Sequence, residues 1–204
     1  MSNPDKTIDP RLLEAAKHEF LNKGFMNASI RTICADAGVT TGAFYKRYKT
    51  KEALFNTLVS PTINELLGML ECIEKDEVKG LEETENLNVI WDNPNDDLKK
   101  FIIYIYDHYD VFRLIFCSSE GTSYSNFVHE LVELACKGTM TVTGKAYEKK
   151  LIANMPEEEE LHILLTAYYD AVIETVRHNL PKDKALHYCD SLKRLFNWKG
   201  FFGC

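Results

Sequence analysis

Between Ser29 and Lys51 the chain reads SIRTICADAGVTTGAFYKRYKTK, a run whose residue types suit a surface that meets a polyanion. Lys46, Arg47, Lys49 and Lys51 follow closely with no acidic residue between Thr40 and Lys51, and Tyr45 and Tyr48 are interleaved among them. Lysine ammonium groups act on phosphate as point charges and a tyrosine hydroxyl can donate to a phosphate oxygen. The amides after Thr50, where a further helix is expected to open, add an anion site. Contacts of this kind fix register on a duplex and do not read its sequence. Other chemistries find less support. His129, Glu130 and Glu133 spell H-E-x-x-E, not the zinc-binding H-E-x-x-H, and His187 and Cys189, two apart, point to different faces of a helix. There is no G-x-S-x-G and no phosphate-cradling glycine loop, so no catalytic residue, metal or cofactor is expected.

The elements that would position the basic run are two short helices. Ser29 can cap the first, in which Ile30, Ile33, Cys34 and Ala37 recur at helical spacing. Gly38 supplies a turn, and Thr40 restarts a helix whose N-terminal end is the end that enters the major groove in a helix-turn-helix. Val39 and Phe44 would hold it to a core. Upstream, Asp9 caps and Pro10 opens a helix with Leu13, Ala16 and Phe20 on one stripe, closed by Gly24, which completes a three-helix head.

At GVTTGAFYKRYKTKEALF the chain resembles TetR-type transcriptional regulators, in which glycine, valine and a Ser/Thr cap precede a G-x-x-Y segment. The helix from Pro10 to Lys23, the Gly24-Phe25 bend and the Ser29 cap share the resemblance, which is close over the first quarter of the chain and architectural beyond about Ser60. It implies DNA-facing roles for Thr40, Thr41, Gly42, Ala43, Tyr45, Lys46 and Lys51; Ser29, Arg31, Tyr48 and Lys49 complete the DNA-binding set. Where many members carry a basic residue just after the cap, this chain has Thr41.

Charge is distributed to match. Residues 1–60 hold nine Lys/Arg against six Asp/Glu, whereas the whole chain of 204 residues carries −7. An acidic protein that concentrates positive charge on one segment can bind DNA locally. With 45% hydrophobic residues the chain can build a real core. The N-terminal MSNPDKTIDP has no apolar h-region and no run reaches the length of a membrane helix, so a soluble, cytoplasmic protein is expected. The six cysteines, Cys34, Cys72, Cys117, Cys136, Cys189 and Cys204, form no C-x-x-C pair and read as reduced thiols.

The pattern is helical throughout, an all-α chain divided into a head over 1–52 and a helical body over 53–204. A helix is expected from Thr50 into the mid-seventies, with Pro61 marking a kink or a break. The acidic stretch 76–97, interrupted by Gly80 and Pro94, is left unassigned. From Leu98 to Phe116 the chain is apolar on nearly every face, which fits a central core helix. The alternative is a cavity with a few polar tips. The resemblance favours that cavity, with Phe101, Tyr104, Ile105, His108, Tyr109, Phe112, Phe116, Tyr124, Phe127 and His129 around a small-molecule effector. The acidic run Glu157–Glu160 follows Pro156 and is explained by stabilisation of a helix N-terminus. Two amphipathic helices close the chain. Leu161, Leu165, Tyr168, Val172, Val176, Leu192, Leu195 and Phe196 on their stripes could be intramolecular core, and the resemblance assigns them to a homodimer interface.

Together these readings imply a homodimeric repressor on a near-palindromic operator, released by an effector. A DNA-binding regulator controlled by cysteine oxidation, motivated by Cys34 and Cys117, or by a protein partner is the alternative. A helical enzyme or lipid-binding module comes third.

Overall fold

The computed structural model describes residues 8–83 and 97–203. The expectations for the extreme N-terminus, for most of the acidic stretch before Asp97 and for the Cys204 thiol lie outside them. All regular structure among the described residues is helical, and the chain divides into two compact units, Met1–Asn64 with His108–Phe127, and Glu65–Asp107 with Val128–Cys204.

The first unit starts with α1 (Ile8–Asn27), in which Gly24 leaves helical geometry at φ 72° and ψ 161°. A left-handed φ favours glycine, which has no Cβ to crowd the backbone. The chain turns there, and Phe25 joins Phe20 and Phe55 in a triangle of rings with centroids 5.3–5.7 Å apart. Then come α2 (Ile30–Asp36), α3 (Thr41–Arg47) and the N-terminal part of α4 (Lys51–Glu83). Leu12, Ala16, Ile33, Cys34, Phe44, Leu54 and Val59 complete this core. The segment from His108 adds α6 (Tyr109–Ser118), which packs on α1 and brings Asp110 within 3.4 Å of Lys17.

Two expectations about helix boundaries change. Pro61 neither breaks nor ends its helix, which runs on to Glu83. Proline removes one amide from the ladder, the one that would meet the Thr57 carbonyl, and beside it the Ser60 hydroxyl donates to the Asn56 carbonyl at 2.6 Å and the Thr57 hydroxyl to the Ala53 carbonyl at 2.8 Å. The aromatic stretch, in turn, is two helices, α5 (Asp97–Asp107) and α6, separated by His108 at φ −115° and ψ 36°.

The second unit consists of the remainder of α4, α5, α7 (Phe127–Glu148, whose first residue belongs to the first unit), α8 (Glu158–Arg177), α9 (Lys182–Leu195) and the short α10 (Trp198–Phe202). Its core gathers Leu81, Val132, Cys136, Val142, Ala146, Ile152, Leu161, Leu165 and Phe202. The Tyr106 hydroxyl donates to the Leu180 carbonyl at 2.8 Å, and ion pairs Lys99–Asp190 and Lys182–Asp107 join α5 to α9. At the start of α8, Glu158, Glu159 and Glu160 occupy the first turn, where carboxylates complement the helix dipole. Among the described residues no helix is long and apolar enough to cross a membrane.

Candidate nucleic-acid interface and body cavity

The turn between α2 and α3 is built from hydrogen bonds the sequence can supply. Ser29 Oγ accepts from the Thr32 amide at 3.4 Å, and the Ser29 amide donates to Glu19 Oε1 at 3.1 Å. Glu19 is buried and also takes Lys23 Nζ at 3.0 Å. Burial alone would raise its carboxyl, but the Ser29 amide and the Lys23 ammonium together hold it below the ordinary glutamate value. Glu19 therefore fixes the entry into α2, a role no spacing argument in the sequence marks. Gly38, at φ 65°, lets the Val39 amide return to the Cys34 carbonyl at 2.9 Å.

Thr40 caps α3, its Oγ1 accepting from the Ala43 amide at 3.1 Å. One apolar side chain, Phe44, anchors the helix in the core, so the opposite face is outward. Thr40, Thr41, Gly42, Tyr45, Lys46 and Lys49 are exposed, as is Arg31 on α2, while Ala43 and Ser29 are half-buried. Tyr45 is 54% exposed although it is a large aromatic, its ring resting edge-on at 5.0 Å from Phe44. Tyr48 is half-buried, and burial pushes its hydroxyl pKa up.

The four basic residues fall into two pairs. Arg47 Nε lies 2.8 Å from Asp9 Oδ1, tying α3 back to the start of α1. Lys51 Nζ donates to the carbonyls of Phe25 at 2.5 Å, Ala28 at 2.9 Å and Met26 at 3.2 Å, and sits 4.5 Å over the Phe25 ring. Burial lowers its pKa. Lys46 and Lys49 remain on the surface with no acidic partner among the described residues. At the start of α4, Thr50 Oγ1 takes the Ala53 amide at 3.0 Å, and Glu52 accepts from the Ser123 amide at 2.9 Å. Farther along α4, Ser60 Oγ and the Tyr124 hydroxyl are 2.9 Å apart.

The ten residues expected around an effector are spread over the two units. Phe112 and Phe116 lie 5.6 Å apart with tilted rings inside the first unit, and Tyr124 and Phe127 pair at 6.4 Å in the same unit. Tyr104 donates to Glu65 at 3.0 Å, and burial first, then that carboxylate, pushes its pKa up to about 12. Burial likewise raises that of Tyr109. His129 is exposed, 3.4 Å from Glu133, and Ile105 is buried. Phe101 alone of the ten borders the cavity of about 230 Å³ in the second unit. Leu66, Met69, Leu70 and Ile73 of α4, Leu98 of α5, Leu134 and Ala135 of α7, and Tyr168 and Tyr169 of α8 supply most of its apolar wall. Glu71, Glu74, Glu77 and Lys100 also line it. A sequence signal for this site did exist. Leu66, Leu70, Ile73 and Leu81 form a core stripe on α4, and Glu77 stands on that stripe one turn after Ile73.

Of the residues expected at a dimer interface, Leu161, Leu165, Val172, Val176 and Leu192 are buried within the chain itself. Tyr168 and Phe196 are half-buried and meet edge-on at 5.2 Å. Leu195 is 76% exposed, and on the same two helices Ile163 is 67% and Tyr188 39% exposed. The described cysteines are free thiols. Cys34, Cys136 and Cys189 are buried, Cys72 and Cys117 exposed, and burial pushes the Cys34 thiol up, away from the reactive thiolate.

Residues 12–58 match the model of bacterial regulatory proteins of the tetR family. Two curated relatives from Bacillus subtilis strain 168 are similar: the uncharacterized HTH-type transcriptional regulator YdgC, 42% identical over 50 residues, and YerO, 32% identical over 66 residues. These alignments cover 24% and 32% of this chain and 26% and 23% of the relatives, so the chain spans about a quarter of the length of the curated relatives it matches. Similarity in fold is far longer. A transcriptional regulator of the TerR/AcrR family from Aquifex aeolicus VF5 aligns with TM-score 0.57 and 20% identity over 93% of this chain and 99% of its own. A TetR-like regulator from Rhodococcus sp. RHA1 aligns with TM-score 0.60 and 17% identity over all of both chains. NalD, the secondary repressor of the MexAB-OprM multidrug efflux pump in Pseudomonas aeruginosa, aligns with TM-score 0.56 and 18% identity over 92% and 95%.

Proposed function

From the match of residues 12–58 to the tetR family of bacterial regulatory proteins we propose that the chain is a homodimeric repressor released from a two-fold symmetric operator by a small molecule. The observation that carries this reading is the outward face of α3, a capped helix held by Phe44 with Thr40, Thr41, Gly42, Tyr45 and Lys46 toward solvent. Entering a major groove by its N-terminal end, such a helix brings Thr41 and Tyr45 to base edges. Lys46, Lys49 and Arg31 serve the phosphates. Lys51, engaged on three carbonyls, supports the head from behind.

Two heads reading half-sites about 34 Å apart require a dimer. The side chains that cross its interface are Ile163, Tyr188 and Leu195, because the inner stripes of α8 and α9 are used within the chain. Release follows from a ligand in the body cavity. One helix, α4, carries Leu66, Leu70 and Ile73 of the cavity wall and, toward its other end, Lys51 and Glu52. A ligand that favours one arrangement of α4 lowers operator affinity by its differential affinity for the two states. A ligand with none would release nothing.

Selection from randomised duplexes by the full chain, with the salt dependence of the winning site, tests the reading. A palindromic winner bound by a dimer is the expected result. Salt-sensitive binding with no preferred sequence, or a monomer on a single half-site, overturns it.

A further inference from the structure

The H-E-x-x-E segment at His129 lacks, on its own helix, the second imidazole of a zinc motif. The fold brings one from another helix. Val132 and Cys136 of α7 share a buried core with Leu161 and Leu165 of α8, and the Cys136 thiol lies 3.7 Å from the Glu158 carbonyl. Beside that core the ring centres of His129 and His162 stand 5.5 Å apart, their planes inclined by 76°. His129 Nε2 is also 3.4 Å from Glu133 Oε1, one turn along α7.

Two imidazoles and a carboxylate are the protein ligands of an open zinc site, which leaves a fourth position for water. At Zn–N distances of about 2.1 Å and a tetrahedral angle, two imidazoles on one ion place their ring centres about 5 Å apart. The observed separation is close to that. No three such groups among the described residues converge on one point as they stand. The side chains of His129 and Glu133, however, are 63% and 51% exposed, and exposed side chains change rotamer in nanoseconds or less. With Val132, Cys136, Leu161 and Leu165 packed beneath them, the helices themselves need not move for the ligands to close.

A second imidazole–carboxylate pair offers a contrast. His178 Nε2 is 3.1 Å from Glu174 Oε2, but the Arg177 guanidinium takes the same carboxylate at 2.8 Å, and a fixed cation there repels a metal ion. Around His129 and His162 the sequence neighbours are acidic instead: Glu130 on α7 and Glu158, Glu159 and Glu160 in the first turn of α8, all exposed.

We propose that His129, Glu133 and His162 bind one divalent transition-metal ion of the zinc class, clamping α7 to α8. Imidazole donors favour Zn²⁺, Ni²⁺ and Cu²⁺, whereas Ca²⁺ and Mg²⁺ take oxygen shells. The inference stands apart from the repressor reading, because it needs neither DNA nor an effector.

The test is calorimetric titration of the chelator-stripped full chain with zinc chloride, accompanied by thermal melts. One zinc per chain and a raised Tm are expected, with no heat from magnesium or calcium chloride. His129→Ala and His162→Ala should each weaken zinc about ten-fold or more, while His178→Ala leaves the affinity unchanged. Because His129 is exposed, its alanine variant should melt like the parent when metal-free, which separates lost ligation from lost folding. Cobalt chloride should give visible d–d bands that His162→Ala removes, without the near-ultraviolet charge-transfer band of a thiolate ligand. Absence of zinc binding, an affinity that survives both His129→Ala and His162→Ala, an equal loss in His178→Ala, or a thiolate band overturns the proposal.

Discussion

Replacing Lys51 with methionine distinguishes a residue that supports the head from one that holds DNA. Its ammonium is shared among the carbonyls of Phe25, Ala28 and Met26, the last of them exposed, and lies 4.5 Å over the Phe25 ring. A hydrogen bond from a charged donor contributes about 1.5–3 kcal/mol, and partial exposure reduces each of the two stronger bonds here to about 1 kcal/mol. The cation over the ring adds about 0.5 kcal/mol, so Lys51→Met should cost about 2–3 kcal/mol. For a chain of this size each kcal/mol lowers Tm by about 2–4 °C, which makes the expected fall about 5–10 °C. Circular dichroism melts measure it. A lysine on a phosphate would also contribute about one unit to the salt slope of DNA binding, whereas a supporting Lys51 leaves that slope unchanged while overall affinity declines. A melting temperature within 2 °C of the parent, together with loss of about one unit of slope, would refute the reasoning.

Other substitutions examine the remaining supports. Glu19 has a carboxyl pKa below the ordinary glutamate value, so its stabilisation is present above an unfolded pKa of about 4.3 and is lost as pH falls through the lower folded value. Denaturation of Glu19→Gln should therefore lose the parent's pH dependence in that window, and parallel curves for the two proteins would contradict the assignment. Gly121 has φ 85°, and a Cβ there would run into Met26 Sδ. Because Met26 is exposed and can swing aside, Gly121→Ala should cost about 1–2 kcal/mol through its backbone, an effect that persists in a Met26→Ala background. Thr40→Ala should lose about 1 kcal/mol of helix capping, largely restored by serine. Ile163→Lys with Leu195→Lys should give monomers in sedimentation and weaken operator binding; an intact dimer would place the interface elsewhere.

The head was legible in the sequence because its determinants are local. A cap, a turn glycine and a single inward aromatic lie within a few residues of one another. Ser29, Gly38, Thr40 and Phe44 accordingly do in three dimensions what their spacing implies. The body was legible only as helices with apolar stripes. Periodicity says that Leu161, Val172 and Leu192 face something apolar, and the fold supplies that partner from within the chain, leaving Ile163 and Leu195 outward. The aromatic stretch after Leu98 could not reveal that it divides at His108, with Phe101 on a cavity and Phe112 in the core beside α1. Which lysine stays exposed was equally out of reach. Lys46, Lys49 and Lys51 are alike in sequence, and the carbonyls that engage Lys51 come from the end of α1 and the residue just after it, more than twenty residues earlier. The sequence by itself determined the all-helical class and the helix-turn-helix, through propensities and caps acting over one or two turns. Tertiary structure decided the cavity, the outward face and the assignment of charges, because those depend on which distant surfaces compete for the same side chain.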